Sequence, residues 1–535
     1  MRKLPAEALG RWAAVLLCVW FAAAGLVLIP YPGIQNDEAL FGGGLYPPIA
    51  IEGYISIFKH HLPTMLMTYI GAVKIWLYAL VFWVWEPSVW SIRVPALLLG
   101  TLSVWLAWRL MRRTLGLRAA LIGTALLATD ATYLLTTTFD WGPVAIQHVL
   151  LVGGCLALVR YYEMARTRDL AIGFFLFGLG LWDKALFVWM LVGLGVAVMV
   201  VFPRDVIKRV SRRTVAVAAI AFAIGAFPLL KYNVSQKFVT FRGNTRYSTE
   251  EFVNKGRVLR ASFQGASLFG YLAPGEPSEP PGKPQNALER ASVKLDSATG
   301  NQWRSWTYAA ALAALVLVPF AGRAGWFALV FSAVTWAQMA FNQNTGGGTH
   351  HAVLMWPFPQ ILMAAAFTGA ARRLKRPGTV LLVVVTVFLC ASNVLVLNHH
   401  LVGFVRGGTT TIWTDALYPL SERLGRDTGR NVYVLDWGMF DALRLLNQGK
   451  LRLLTGNDPL MDADTNQNDR ADVAHMLADE NAVFVAHTPE KFVFEGVWPR
   501  FEEAMAAAGY RKESVELIRD RSGRPVFQMF RVAKL

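Results

Sequence analysis

Charge is scarce in this chain. Asp, Glu, Lys and Arg make up 16% of its 535 residues, where a soluble domain carries about 25%. Cysteine is scarcer: Cys18, Cys155 and Cys390 all lie inside apolar runs, so they supply neither a disulfide framework nor a metal-ligand spacing and read as packing residues. No HExxH pattern or cysteine cluster supports a zinc site. The C-terminal part has no GxGxxG and no P-loop, which removes the usual nucleotide-binding signatures. There is no internal repeat of the kind a transporter built from two halves would show.

What is abundant is apolar sequence. Hydrophobic residues reach 54% and gather in runs of about 20 residues, long enough to cross ~30 Å of hydrocarbon. The runs lie near 12–30, 65–85, 92–111, 119–138, 142–162, 170–182, 184–202, 214–232, 305–322, 325–342, 350–370 and 379–398. The chain reads as a polytopic α-helical membrane protein. Its first run is too long for a signal-peptide core and is expected to remain as an uncleaved helix with a cytoplasmic N-terminus.

The net charge of +16 would suggest nucleic acid in a soluble protein. Here it follows the positive-inside rule instead. Arg112/Arg113/Arg118, Arg160/Arg166/Arg168, Arg204/Lys208/Arg209/Arg212/Arg213 and Arg372/Arg373/Lys375/Arg376 all fall on the cytoplasmic side only if the 65–85 run does not cross. Lys74 interrupts that run, and Trp76, Tyr78, Trp83 and Trp85 suit an interfacial element. Eleven spans are therefore expected. Loops 31–91, 139–141, 183–184, 233–304 and 343–349 then face outward, with a Pro/Gly-rich stretch at 274–284 as a mobile loop. So does residue 401 onward, where the strand-like segments 431–435, 482–486 and 525–530 alternate with helical patterns near 415–424, 438–448, 466–479 and 499–509. The expected organisation is a membrane domain, 1–400, and an extracytoplasmic α/β domain, 401–535.

This topology collects polar residues at one face. Asp37 and Glu38 follow the first span, flanked by apolar and glycine residues rather than by a charged loop. A partly desolvated carboxylate there has a raised pKa and suits a general base. Asp140 precedes Pro143 at the head of a helix, where it either caps the helix or joins the chemistry. Asp130 lies deeper, where an acid serves either function or bundle structure. Asp183 and Lys184 read either as an internal ion pair or as a lysine left free for a phosphate. Lys59, His60, His61, Lys74, Arg93, Arg242 and Arg246 are further outward cations, able together to hold an anionic lipid headgroup. His350 and His351 are adjacent, so on a helix they diverge by roughly 100° and make a poor metal pair. No cofactor is expected, a divalent cation being the one group left open.

The acid pair, the segment His60-His61-Leu62-Pro63, Arg93-Val94-Pro95-Ala96-Leu97, the turn Arg112 to Arg118, Asp140 and the Asp183-Lys184 segment together resemble the GT-C glycosyltransferases. The likeness is to family 39, the protein O-mannosyltransferase and aminoarabinose transferase type, over roughly residues 10–230. The context Thr-Thr-Thr-Phe-Asp140-Trp-Gly-Pro departs from the family's usual turn, and the 401–535 domain is not obviously shared with its best-known members. The resemblance implies a cell-envelope enzyme of the inner (plasma) membrane. It would move a sugar, with inversion, from a polyprenyl-phosphate carrier to a lipid, glycan or protein hydroxyl. It implies Asp37 as base, Glu38 as its tuning neighbour, Asp140 as the second acid, and Lys184, with Lys74, Lys59, Arg93, Arg242 and Arg246, around the donor phosphate. The competing reading is a transporter or flippase of a lipid-linked or anionic solute, which would place polar groups along a path across the membrane instead of at one face.

Overall fold

Hydrocarbon leaves backbone N–H and C=O groups no partner but each other, so an apolar run that crosses it closes into a helix. The computed structural model describes residues 6–48, 51–57, 60–244, 246–274, 281–343, 345–462 and 467–535. Among these, six helices are long and apolar enough to cross a membrane: Ala6–Leu28, Val89–Leu115, Val144–Met164, Arg212–Ser235, Gly322–Phe341 and Lys375–Gly407. Three more spans are possible as bent pairs, at Leu117–Thr129 with Ala131–Thr138 (59°), Ala185–Val201 with Pro203–Arg209 (99°), and Thr349–Met355 with Phe358–Arg373 (46°). The remaining two runs form the shorter helices Thr167–Asp183 and Thr307–Val316. All eleven expected runs are thus helical, and six to nine meet the length of a span.

The first bend has a visible cause. Asp130 leaves the helical conformation and caps the next segment, its Oδ1 accepting from Tyr133 N–H at 2.9 Å. Its other oxygen accepts from Trp356 Nε1 at 2.9 Å and Gln360 Nε2 at 3.3 Å. That intramembrane acid therefore holds the bundle together. Elsewhere small residues bring backbones close: a Cβ on Gly178 would stand 2.2 Å from the Phe222 carbonyl, and one on Gly225 2.3 Å from that of Phe175, which locks Thr167–Asp183 onto Arg212–Ser235.

The 65–85 run is not one helix. It divides into β-structure and the helix Val73–Phe82, whose ten residues reach only ~15 Å. Strands β1 (Gly53–Ile57), β2 (His60–Met67) and β3 (Ile70–Gly71) form an antiparallel sheet in the order β1-β2-β3. This sheet was not expected, and its two-residue third strand is too short to leave a periodic signal.

The C-terminal segment builds a five-stranded sheet in the order β5-β4-β6-β8-β7, from β4 (Asn431–Val434), β5 (Arg452–Thr455), β6 (Ala482–His487), β7 (Tyr510–Arg519) and β8 (Pro525–Lys534). The pairs β4–β5 and β4–β6 are parallel; β6–β8 and β7–β8 are antiparallel. The expected helices appear as Leu417–Gly425, Phe440–Leu446, Gln467–Ala478 and Val497–Ala507. The two strands missing from the sequence reading, β5 and β7, are both edges, and β7 carries the charged and exposed residues that keep an edge from pairing further.

Alternation along the central strands gives the sheet two buried faces. Tyr433 and Phe484 pack with Trp498 and Phe530 on one side. Val434 and Val485 pack on the other with Leu443, Leu445, Ile34, Phe41 and Ile75. This second core is shared with the segment after the first span, so the domain is seated directly on the loops that carry the acids. The last membrane helix enters it without a break as far as Gly407.

Charges mark the two ends of the bundle. Ion pairs Arg112–Glu7, Arg113–Glu163, Arg160–Asp169 and Arg323–Asp205 gather at one end. Arg93 stands at the other end of the helix that carries Arg112, ~30 Å away.

Candidate active site

Helix Asn36–Gly43 presents both acids in its first turn. Gln35 caps it, Oε1 accepting from the N–H groups of Asp37 at 2.7 Å and Glu38 at 3.1 Å. Glu38 returns a bond to the Gln35 N–H at 3.4 Å, completing a capping box. Successive side chains on a helix point about 100° apart, so the two acids meet different surroundings.

Glu38 turns inward. Its oxygens accept from Arg93 Nε and Nη2, both at 2.8 Å. Arg93 Nη1 donates to the carbonyls of Ile29 at 2.7 Å and Pro32 at 2.8 Å, and Nη2 to that of Gly33 at 2.7 Å. All five N–H bonds of the guanidinium are thereby used. The pair is fully buried, and the rings of Phe139 and Trp413 lie 4.7 and 5.8 Å from the guanidinium carbon. Arg93 and Glu38 thus hold the acid helix to the loop before it, and neither has a group left over for a ligand.

Asp37 turns the other way. It is half-buried and makes no ion pair with the described residues. Burial pushes its carboxyl above the ordinary carboxylate range, against the opposing pull of Gln35, the Lys184 ammonium and Asn36. Tyr69 and Tyr271 face the same charge: burial first, then Asp37, raises both phenols.

Lys184 reaches this place through a helix break. After Asp183 the backbone leaves the helix and bridges to Ile70, while Ala185 N–H donates to the Tyr69 carbonyl at 2.9 Å. Trp182 Nε1 donates to the Thr64 carbonyl at 2.7 Å. Only glycine fits at 71, where a Cβ would stand 1.9 Å from the Trp182 carbonyl oxygen. The unexpected sheet is thus what fixes Lys184. Lys184 is 4% exposed, and its ammonium has no hydrogen-bond partner among the described residues. Burial lowers it to about 8, against the attraction of Asp183, Asp140 and Asp37.

Lys74 is committed elsewhere. Its ammonium lies 3.1 Å from Asp140 Oδ2, bonds the Asp140 backbone carbonyl, and sits 4.3 Å above the Phe41 ring. Asp140 Oδ1 accepts from Val144 N–H at 2.7 Å, so this acid caps its helix and pairs with Lys74 at once.

Two further residues belong to this cluster, Asp183, which the sequence placed beside Lys184, and Gln147, which it did not single out. Asp183 and Gln147 are 0% exposed, and neither carboxyl oxygen nor either amide atom has a well-formed hydrogen bond among the described residues. Buried polar groups left this way are rare and call for a reason. Asp183 was visible in the sequence as the neighbour of Lys184, whereas Gln147 had only its polarity within an apolar helix to single it out.

Arg242 and Arg246 are exposed and make no ion pair with described residues. Lys59 lies outside the described residues. His350 Nδ1 accepts from Trp141 Nε1 at 3.0 Å, and the His350 and His351 rings are 4.0 Å apart. Among the described residues no group of three or more His, Cys, Asp or Glu side chains is placed to hold a metal ion.

Residues 71–230 match the family model described as dolichyl-phosphate-mannose-protein mannosyltransferase. The fold is similar to ArnT from Cupriavidus metallidurans bound to undecaprenyl phosphate, with a TM-score of 0.59 at 12% identity over 98% of each chain. It is also similar to the oligosaccharyltransferase AglB from Archaeoglobus fulgidus in complex with an inhibitory peptide and a dolichol-phosphate. There the TM-score is 0.54 at 11% identity over 99% of this chain and 74% of that one. A comparison with curated proteins gave no match. The expected GT-C resemblance is borne out: the chain is a multi-pass membrane protein of GT-C fold with a C-terminal sheet domain.

Proposed function

We propose that this GT-C chain transfers a sugar from a polyprenyl-phosphate carrier to an acceptor hydroxyl at the outer face of the plasma membrane, with inversion and with Asp37 as base. Residues 1–400 are the membrane unit, with the N-terminus in the cytoplasm. Residues 401–535 are the extracytoplasmic domain above it. ArnT and AglB were solved with undecaprenyl phosphate and dolichol-phosphate respectively, which supports a lipid-phosphate donor for this fold. The observation that carries the residue assignment is local. Among the described residues Asp37 and Lys184, both beside the acid helix, make no ion pair, and each lies within the other's field.

The chemistry follows from that. An acceptor O–H gives its proton to Asp37 as the oxygen bonds to the anomeric carbon. The bond from that carbon to the phosphate oxygen breaks, and its electron pair leaves with the phosphate. A phosphodiester with one negative charge becomes a monoester that gains a second. Such a leaving group needs charge stabilisation rather than a proton, and a desolvated ammonium supplies it strongly. Lys184 has that role. The Lys74–Asp140 pair holds the floor of the site, and Glu38–Arg93 holds the helix that aims the base.

The test is Asp37→Asn, purified and given a polyprenyl-phosphate-linked sugar donor with its acceptor. A folded variant that still transfers at the parent rate removes Asp37 from the role of base.

A further inference from the structure

The C-terminal domain grips the acid helix at both of its ends. Asn36, immediately before Asp37, exchanges two hydrogen bonds with Asp441: Asn36 Nδ2 donates to Asp441 Oδ2 at 3.0 Å, and Asp441 N–H donates to Asn36 Oδ1 at 3.1 Å. Asp441 lies in the first turn of helix Phe440–Leu446, whose leading N–H groups have no partner within the helix. Asn36 therefore caps the domain helix while the domain helix fixes Asn36. At the other end, the Arg444 guanidinium lies against Gly43, where a Cβ would stand 3.1 Å from Nε and Nη2. Arg444 also donates to the Pro48 carbonyl at 2.7 Å and pairs with Asp441. Leu445 closes over Gly42 between these points.

Apolar packing alone could seat a domain here. The ion pair Asp441–Arg444 is instead placed beside the proposed base, buried on the Arg444 side to 1% exposure. Burial raises the Asp441 carboxyl against the pull of Arg444 and Asn36, and the charge of Asp37 raises it further. We infer that Asp441 and Arg444 are positioning residues for the transfer reaction: the C-terminal domain holds the helix of the base and sets the electric field at Asp37, as a working part of the site and not as a cover over it. This rests on the reading of Asp37 as base.

The groups that face Asp37 define the test. They are Lys184 from the helix break, Tyr69 from the β2–β3 turn, Tyr271 from the loop after Phe252–Phe263, and Asp441 from the domain helix. Glu38 is neutralised by Arg93. Asp441→Asn removes a negative charge and leaves Arg444 unpaired, so it makes Asp37 easier to ionise. Arg444→Gln does the opposite. The experiment is the pH profile of kcat/KM for the full-length protein with a polyprenyl-phosphate-linked sugar donor, alongside melting temperature. The acidic limb is expected to move down in Asp441→Asn and up in Arg444→Gln, each by about half a pH unit or more.

A purely structural clamp would lower activity in both without moving the limb. Limbs that stay in place, or that move in the same direction, in folded variants overturn the inference. Should Arg444→Gln not fold, the sign in Asp441→Asn decides alone. Asp37→Asn separates the two levels. If it is inactive while the limbs do not move, the positioning role fails by itself. If it is fully active, the reading of Asp37 as base has failed first.

Discussion

Asp37 and Glu38 are neighbours in the chain and opposites in the fold. Glu38 is sealed against Arg93, itself bonded to three backbone carbonyls, and no part of the pair reaches solvent. Asp37, one residue earlier on the same helical turn, is half-open and unpaired among the described residues. The same contrast separates the two lysines: Lys74 is spent on Asp140, while Lys184 faces the cluster without a hydrogen bond. A satisfied buried pair holds a structure in place, and an unsatisfied group beside it is what remains for a substrate. On the proposed reading, two acids or two lysines in one site divide into scaffold and chemistry according to which of them already has an ion-pair partner.

The sharpest way to break this contrast is at the acids. Asp37→Asn should lower kcat by about 10²–10⁴, the usual worth of a general base, with the melting temperature kept. Arg93→Met strips Glu38 of its buried partner and should cost about 3–5 kcal/mol of stability, read from thermal or denaturant unfolding in detergent. A stable Arg93→Met protein with weakened donor binding would instead make Arg93 a ligand and erase the contrast.

Lys184→Met should fall chiefly on the donor phosphate. Loss of one charge-assisted bond, ~1.5–3 kcal/mol, corresponds to a drop in kcat/KM of roughly ten- to a hundred-fold, with stability little changed. The same substitution at Lys74 should show the reverse pattern.

The gentlest test is pH. Asp37 accepts a proton only when ionised, and its carboxyl is raised. Activity should therefore climb through a pH above the ordinary carboxylate value of ~3.9. In its proposed role Lys184 would neutralise phosphate only as an ammonium, and it is lowered to about 8, so activity should decline above that pH. An alkaline limb that persists in Lys184→Met would assign it to another group.

Much of the fold was legible because hydrophobic runs are long-range statements about solvent. All eleven runs are helical, and the basic clusters at 112–118 and 160–168 are tied by ion pairs at one end of the bundle. The breaks within the runs were not legible. The bend at Asp130 depends on Trp356 and Gln360, both more than two hundred residues away. The 53–71 sheet was hidden because its strands are short and one of them holds Pro63, yet it is what fixes Lys184.

The site was half legible. Asp37, Asp140, Lys74 and Lys184 are gathered by the fold, whereas Arg242 and Arg246 point to solvent and Arg93 is consumed inside. Gln147 entered only through its burial, and Asp183, read from the sequence as the neighbour of Lys184, gained its place in the cluster the same way.

The sequence by itself determined that this chain lives in a membrane, and which residues stand near the polar ends of its helices. Those properties follow from composition and spacing along one helix at a time. Only the tertiary structure decided which acid is free. A helix turn points Asp37 and Glu38 in different directions, and the arginine that neutralises Glu38 comes from 55 residues away. The domain helix that clasps Asn36 comes from 405 residues away. The availability of a charge depends on its partners in space, and no local pattern records them.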